Sequence, residues 1–500
     1  MKKMIRLLIA LFLSAGLVSA QEIPVVDAIP AEVDFSVHLQ EWDGFGFNYV
    51  ETSQTLDYKK DPQDYGGFSI LDKKQKTEII EAVFGEEGLK VGLVKMFLDP
   101  WHQSSPDAEF DHKTTTANMR EFVKLGYAKT RVRDADLQII TTLYGPPAWA
   151  TKQKFLRGRD LDPEMKDELV RYMVDWAHFL KVEEGLPVKY ISLHNEGEDW
   201  QRWPRDGKES YIGTGHDYNL WWPPHQVVDF VNRIPAMIDE YKLADVKVAN
   251  GECSTWYRFS HWGEAWAIAE DETAWKNLGL ITSHGFWDGD YWYWYGDHNP
   301  FGINLIKQKR PDIHAWTTSS SWVKMDAHFV RQIYGSIYSL GINGYIPWAA
   351  IQRPPLWVSG DPNPGNAIQV NEDGTYELRD GYYYYKQVTV AGQPGMKVAK
   401  TISRDTEIPI MAFDSDDTNH PDAFVVINMK LNDWQISGFS IELDKKIEIE
   451  VKGTSSTRFK AYRTHGADEK YKYIGDFTVE NGRIQYTAPK ESVTTFIAVN

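Results

Sequence analysis

Apolar positions recur along this chain in two alternating rhythms. Compact apolar runs at Leu89–Leu98, Leu137–Leu143, Val188–Leu193, Val246–Ala249, Leu278–Ser283, Ile313–Thr317 and Ile342–Trp348 have the density of strands buried on both faces. Between them the spacing lengthens to three and four residues. Leu71–Phe84 sets Ile79 over Val83 and Ile80 over Phe84 before a stop at Gly85, and a helix opening at Asp162-Pro163 carries the stripe Leu169, Met173, Trp176, Leu180. Val227–Tyr241 and Val330–Leu340 repeat that rhythm. Strands alternating with helices over about 300 residues predict an α/β fold with a parallel sheet, closed as a (β/α)8 TIM barrel.

Both ends of the chain change to a period of two. Val33, Phe35, Val37 and Leu39 alternate with polar residues and run into Gly44-Phe45-Gly46-Phe47. From Tyr382 to Asn500, short alternating runs (Phe424–Ile427, Phe439–Leu443, Ile447–Val451, Val493–Val499) are separated by Gly, Asn and Asp turns, the pattern of a C-terminal antiparallel β-sandwich. The expected organisation is N-terminal strands over 21–45 that join the sandwich, the barrel over 46–381 and the sandwich over 382–500. Residues 1–20 combine Lys2, Lys3 and Arg6 with an apolar centre from Leu7 to Leu17 and the small-residue end Val18-Ser19-Ala20. They predict a signal peptide cleaved after Ala20 and a secreted or periplasmic protein. No other stretch is apolar for the length a bilayer span needs.

Composition narrows the partners. A formal charge of -17 opposes nucleic acid and anionic membrane surfaces, both of which need a positive field. Cys253 is the single cysteine, so no internal disulfide framework exists. No short-spaced His/Asp/Glu cluster suggests a metal and no glycine loop suggests a phosphate, so neither a metal nor a cofactor is expected. The chain holds 20 Trp and 26 Tyr, and many fall in loop-like segments: Trp200, Trp203, Trp221, Trp222, Trp287, Trp292 and Trp294. Aromatic faces on loops suit sugar rings.

The stretch that organises this picture is Tyr190 to Trp200. A strand-like run stops at Asn195-Glu196 and turns through Gly197, which sets a carboxylate at the carboxyl end of a buried strand, where barrel enzymes keep their chemistry. Around it lie Gly44-Phe45-Gly46, Phe84-Gly85 with Gly88-Leu89, Gly145-Pro146-Pro147-Ala148-Trp149, Glu252 in Ala249-Asn250-Gly251-Glu252, Ser283-His284, Gly344 to Trp348, Tyr382 to Lys386, Pro394-Gly395 and Ser492 to Phe496. In that order they resemble glycoside hydrolase family 30, or a close relative in the same clan, over nearly the whole chain.

The resemblance implies that Glu196 is the acid/base glutamate after the fourth barrel strand and that Asn195 binds a sugar hydroxyl. It also implies that Glu252 matches a glutamate some members carry after the fifth strand and His284 the sixth-strand histidine. Two positions depart from the family. After the seventh strand the family reads approximately Trp-x-Ser-Glu, whose glutamate is the nucleophile, whereas this chain reads Trp316-Thr317-Thr318-Ser319. Lys95 stands where many members have arginine.

Glycosidic hydrolysis ordinarily uses two carboxyl groups, one to protonate the leaving oxygen and one to attack or to activate water. Glu196 suits the first role. Ser319 is a poor nucleophile without a base and reads as a polar lining residue. Glu252 is the first choice for the second role, with Asp288, Asp290 and Asp99 behind it, and Asp326 is assigned to the following helix. Trp149, Trp200, Trp287 and Trp348 are candidate sugar platforms, His284 a hydrogen-bonding wall residue, and Arg202, Arg205 and Arg258 a possible patch for an acidic sugar. The expected activity is a glycosidase acting on a β-linked polysaccharide or oligosaccharide, and the alternative is a carbohydrate-binding pseudoenzyme.

Overall fold

A computed structural model of the chain describes residues 28–52, 64–202, 220–286, 298–320, 325–348, 350–354, 365–416, 418–429 and 443–499. The signal segment, Trp287, Asp288, Asp290, Arg205, the Arg202 side chain and most of Phe439–Leu443 therefore lie outside the described residues.

After β1 (Ile29–Glu41), eight strands close a barrel: β2 (Gly44–Asn48), β3 (Leu93–Leu98), β4 (Gln138–Leu143), β5 (Val188–Ser192), β6 (Lys247–Ala249), β7 (Leu278–Ser283), β8 (Ala315–Thr318) and β9 (Gly344–Ile346). Every neighbouring pair is parallel, including β9 with β2. Closure needs Gly46. A Cβ there would lie 2.6 Å from Ile346 Cγ1 and 2.9 Å from the Leu93 carbonyl oxygen. The helices start where the sequence supplies caps. Asp72 and Gln75 form a reciprocal capping box for Lys73–Phe84, and Asp326 caps Ala327–Gly335 by accepting from His328 N. Asp326 is thus spent on a helix end.

The barrel interior is layered by strand alternation. Leu93, Ile140, Tyr190, Ala249, Leu280, Trp316 and Ile346 form a buried apolar ring, and the larger of these side chains each contribute about 1.5–3 kcal/mol by burial. Asp43 anchors its floor by accepting from Trp316 Nε1 at 2.7 Å and pairing with His314 at 2.8 Å. Two residues further along the same strands, the period of two brings Lys95, Thr142, Ser192 and Thr318 to the same side. A polar layer therefore sits directly above the apolar one, at the carboxyl ends of the strands.

The second unit is one curled sheet of nine strands. In spatial order these are Glu469–Thr478, Arg458–His465, Ser492–Ala498, Ala423–Asn428, Ile410–Asp414, Lys397–Ser403, β1, Lys445–Lys452 and Arg483–Ala488. All pairs are antiparallel except β1 with Lys445–Lys452. The curl brings the end strand back over the middle, where Tyr486 meets Phe496 at 5.2 Å and bonds Thr494 at 2.6 Å. The sheet's own core includes Val33, Phe35, Phe424, Ile447, Phe459 and Phe496.

Asp380–Thr389 is a helix, whereas Tyr382 to Lys386 read from the sequence as part of the sandwich. The strand preference of a tyrosine run yields here to tertiary contacts. Tyr382 and Tyr385, one turn apart, are buried and donate to the carbonyls of Ala82 and Gly46 at 2.8 and 2.6 Å. The same helix bonds Thr464 and Thr495 of the sheet through Gln387. It thereby fixes the sheet against the barrel. No helix among the described residues is long and apolar enough to cross a membrane.

Candidate active site

Asn195, Glu196, Glu252, His284 and Ser319 come together, all buried, at the carboxyl end of the barrel. Glu196 leaves β5 with φ 56° and Ser319 leaves β8 with φ 67°, both in the left-handed region that non-glycine residues rarely occupy. Backbone bonds hold these turns. Glu196 N donates to Glu252 O at 2.7 Å, Glu252 N to His194 O at 2.8 Å, and Ser319 N to Ile346 O at 2.7 Å. Beneath the Glu196 turn, His194 Nδ1 accepts from Gly197 N at 3.1 Å, and Trp222 stacks on the His194 ring with centroids 5.5 Å apart. Trp222 is thus a buried support, although it reads from the sequence as one of the loop aromatics.

One imidazole links the two glutamates. His284 Nε2 lies 3.4 Å from Glu196 Oε1 and 3.2 Å from Asn195 Oδ1. Its Nδ1 lies 3.4 Å from Glu252 Oε2 and 3.3 Å from Thr318 Oγ1. Glu196 and Glu252 therefore face opposite nitrogens of a single ring.

Glu252 is the hub of the polar layer. Its Oε1 accepts from Thr142 Oγ1 at 2.5 Å, and its Oε2 accepts from Thr318 Oγ1 at 2.9 Å and from the Lys95 ammonium. Lys95, with no exposed surface, also donates to Asn195 Oδ1 at 3.1 Å and to Ser319 Oγ at 3.0 Å. Strict alternation from Ala249 would aim Glu252 outward. Gly251, at φ 105°, breaks it; a Cβ there would sit 2.4 Å from the His194 ring. Thr142 and Thr318 were not singled out by sequence reasoning. Their signal is their inward register two residues above Ile140 and Trp316.

The other candidates have contacts of their own. Asp99 is buried and accepts from Trp101 N at 3.1 Å, bracing the loop after β3. Trp149 is half-buried, donates to Gln103 O at 3.3 Å and lines a cavity of about 380 Å³ with Trp101, His102, Gln103, Glu109 and Asp111. Burial and the neighbouring His112 hold the His102 imidazole well below its usual range. Trp200 is exposed, and Trp348 is half-buried edge-on to Phe97 at 6.2 Å. Arg258 pairs with Glu198 at 3.1 Å and Asp199 at 3.4 Å, so its charge is matched internally and not offered to an acidic sugar. Among the described residues the one grouping able to ligate a metal is His38, Asp414 and Asp416, on the curled sheet away from the barrel mouth.

No protein-family model and no curated protein sequence matches the chain. Solved structures do. The fold is similar to that of a GH30 endoxylanase from Clostridium papyrosolvens C71, with a TM-score of 0.66 and 16% identity over 94% of this chain and 100% of that one. It is equally similar to the catalytic domain of GH30 xylanase C from Talaromyces cellulolyticus, with a TM-score of 0.67 and 15% identity over 94% and 100%. A third neighbour is an endo-β1,6-glucanase, with a TM-score of 0.65 and 16% identity over 94% of each chain. The barrel with its attached β domain is therefore the fold of glycoside hydrolase family 30 enzymes.

Proposed function

We propose that this chain is an exported glycoside hydrolase of family 30 or a close clan relative. It cleaves β-linked polysaccharide or oligosaccharide, with Glu196 as proton donor and Glu252 as the second carboxylate. The observation that carries the proposal is the His284 bridge, which brings two buried glutamates to opposite nitrogens of one ring at the barrel mouth. The likeness to xylanases and a glucanase supports the substrate class.

The roles follow from the contacts. Ser319 Oγ is held by the Lys95 ammonium, a donor that cannot accept the serine proton, so serine attack lacks its base. Glu252, held in place by Thr142, Thr318 and Lys95, is assigned as the carboxylate that orients and deprotonates water. Inversion at the anomeric carbon follows from that assignment. Asn195, fixed by Lys95, presents its amide toward the sugar hydroxyl beside the bond that breaks.

The sequence resemblance favours a second reading, binding without turnover, because it aligns Ser319 with the position at which family 30 keeps its nucleophile. Sugar release from plant, algal and fungal polysaccharides separates the two. Hydrolysis that disappears in Glu196→Gln supports the enzyme, whereas tight binding to a polymer with no release from either protein establishes the pseudoenzyme.

A further inference from the structure

Six Phe, Tyr and Trp side chains stand exposed among the described residues, and four of them come from neighbouring short helices and a turn between them: Tyr257, Trp262, Trp266 and Phe301, with 42, 44, 45 and 39% of their surface open. They come from three short helices, Trp256–His261, Glu264–Glu270 and Phe301–Lys307, and from the turn between the first two. Three of the four are linked ring to ring through His261. Tyr257 meets His261 at 4.7 Å, His261 stacks on Phe301 at 5.4 Å and 15°, and Phe301 meets Trp266 at 5.5 Å. Beyond Trp266 the strip opens into a groove of about 600 Å³, lined also by Trp275, Glu270, Glu272, Gln308 and Lys309.

Folding alone does not require this face. Large exposed apolar groups scattered singly need no explanation, but a contiguous row of them marks an interaction surface. The strip is continuous with the candidate active site. The Arg258 guanidinium lies 4.3 Å over the Trp262 ring and pairs with Glu198 and Asp199, two and three residues beyond Glu196.

We infer that this strip is a second carbohydrate-binding surface, which holds a neutral polysaccharide chain outside the barrel and feeds it toward the mouth. Exposed aromatic surface beside polar groups suits the apolar faces and hydroxyl edges of sugar rings. The carboxylates, amide and ammonium around the groove supply hydrogen bonds to hydroxyls. The overall charge of -17 disfavours an anionic polymer on the same face. The inference extends the proposed function but does not use its catalytic residues.

The test is affinity electrophoresis of the full chain through gels holding soluble β-1,4-xylan or β-1,6-glucan, with Glu196→Gln as the background so that the polymer stays intact. Removing two rings, Trp266→Ala with Phe301→Ala, should weaken retention about tenfold or more. Trp266→Tyr with Phe301→Tyr, which keeps the rings, should preserve it. Thermal melting confirms that both variants fold. Unchanged retention in the alanine pair overturns the inference, as does failure of the parent protein to be retained by either polymer. Self-association that the alanine pair abolishes, seen by sedimentation, also overturns it and assigns the strip to a second copy of the chain. With Glu196 intact, hydrolysis of short oligosaccharides tests the catalytic proposal separately: a parent protein that hydrolyses them but is not retained refutes only the strip, and a parent protein that is retained but does not hydrolyse them refutes only the enzyme.

Discussion

Lys95→Met is the substitution that probes the polar layer most sharply. It removes the one Lys or Arg that pairs with Glu252 among the described residues, and it removes one donor each from Asn195 and Ser319. Breaking a buried ion pair from one side costs about 3–5 kcal/mol, because the remaining charge stays desolvated. Glu252 keeps the Thr142 and Thr318 hydroxyls, which lowers the cost, while two buried acceptors lose a donor, which raises it. The expected loss is about 4 kcal/mol, large against a total of roughly 5–15 kcal/mol.

Equilibrium urea unfolding reads this as a midpoint lower by about 1 M or somewhat less, because the slope for a chain of 500 residues exceeds the roughly 1–3 kcal/mol per M of small proteins. Glu252→Gln should cost a similar amount by leaving Lys95 unmatched. In the double variant both charges are gone, so it should lie within about 1 kcal/mol of either single variant. If the two single losses add in the double variant, or if Lys95→Met costs under about 1 kcal/mol, the polar layer is not held by this pair.

Three further outcomes follow from individual sites. Burial and the Asp64 carboxylate push Glu51 up to about 7, so the folded chain holds that proton more tightly than the unfolded chain. Its contribution is full below about pH 4.5 and is lost as pH rises through about 7, and Glu51→Gln should remove up to roughly 3 kcal/mol of the decline between pH 5 and 8 in unfolding titrations. Gly251→Ala should lower stability by about 2 kcal/mol or more and reduce any hydrolysis, because a side chain at φ 105° strikes the His194 ring; a fully active, equally stable alanine variant would refute the role given to that turn. Asp72→Ala should cost about 1–2 kcal/mol through the lost capping box, read by thermal melting.

The barrel was legible because its strands are dense in apolar residues. Leu278–Ser283 is a strand over the residues read from the pattern, and Ile342–Trp348 contains β9 at its centre. Glu196, Asn195, Glu252, His284 and Ser319 were each named from motif order, and the fold brings them together. What the sequence hid depends on three-dimensional register. Thr142 and Thr318 are ordinary strand residues until alternation places them above Ile140 and Trp316, and Glu252 turns inward only because Gly251 adopts a backbone few residues can. Trp222 shows another limit. It reads as one of the aromatics in loop-like segments but is buried against His194, since indole surface in a loop has two uses that local sequence does not distinguish.

The central claim is that Glu196 and Glu252 together cleave a glycosidic bond. Proton NMR of the first sugar released, compared among the unaltered protein, Glu196→Gln and Glu252→Gln, tests it most directly. The expected result is release with inverted anomeric configuration from the unaltered protein and loss of release in both variants. Full activity in Glu252→Gln, or a retained anomer, would contradict it.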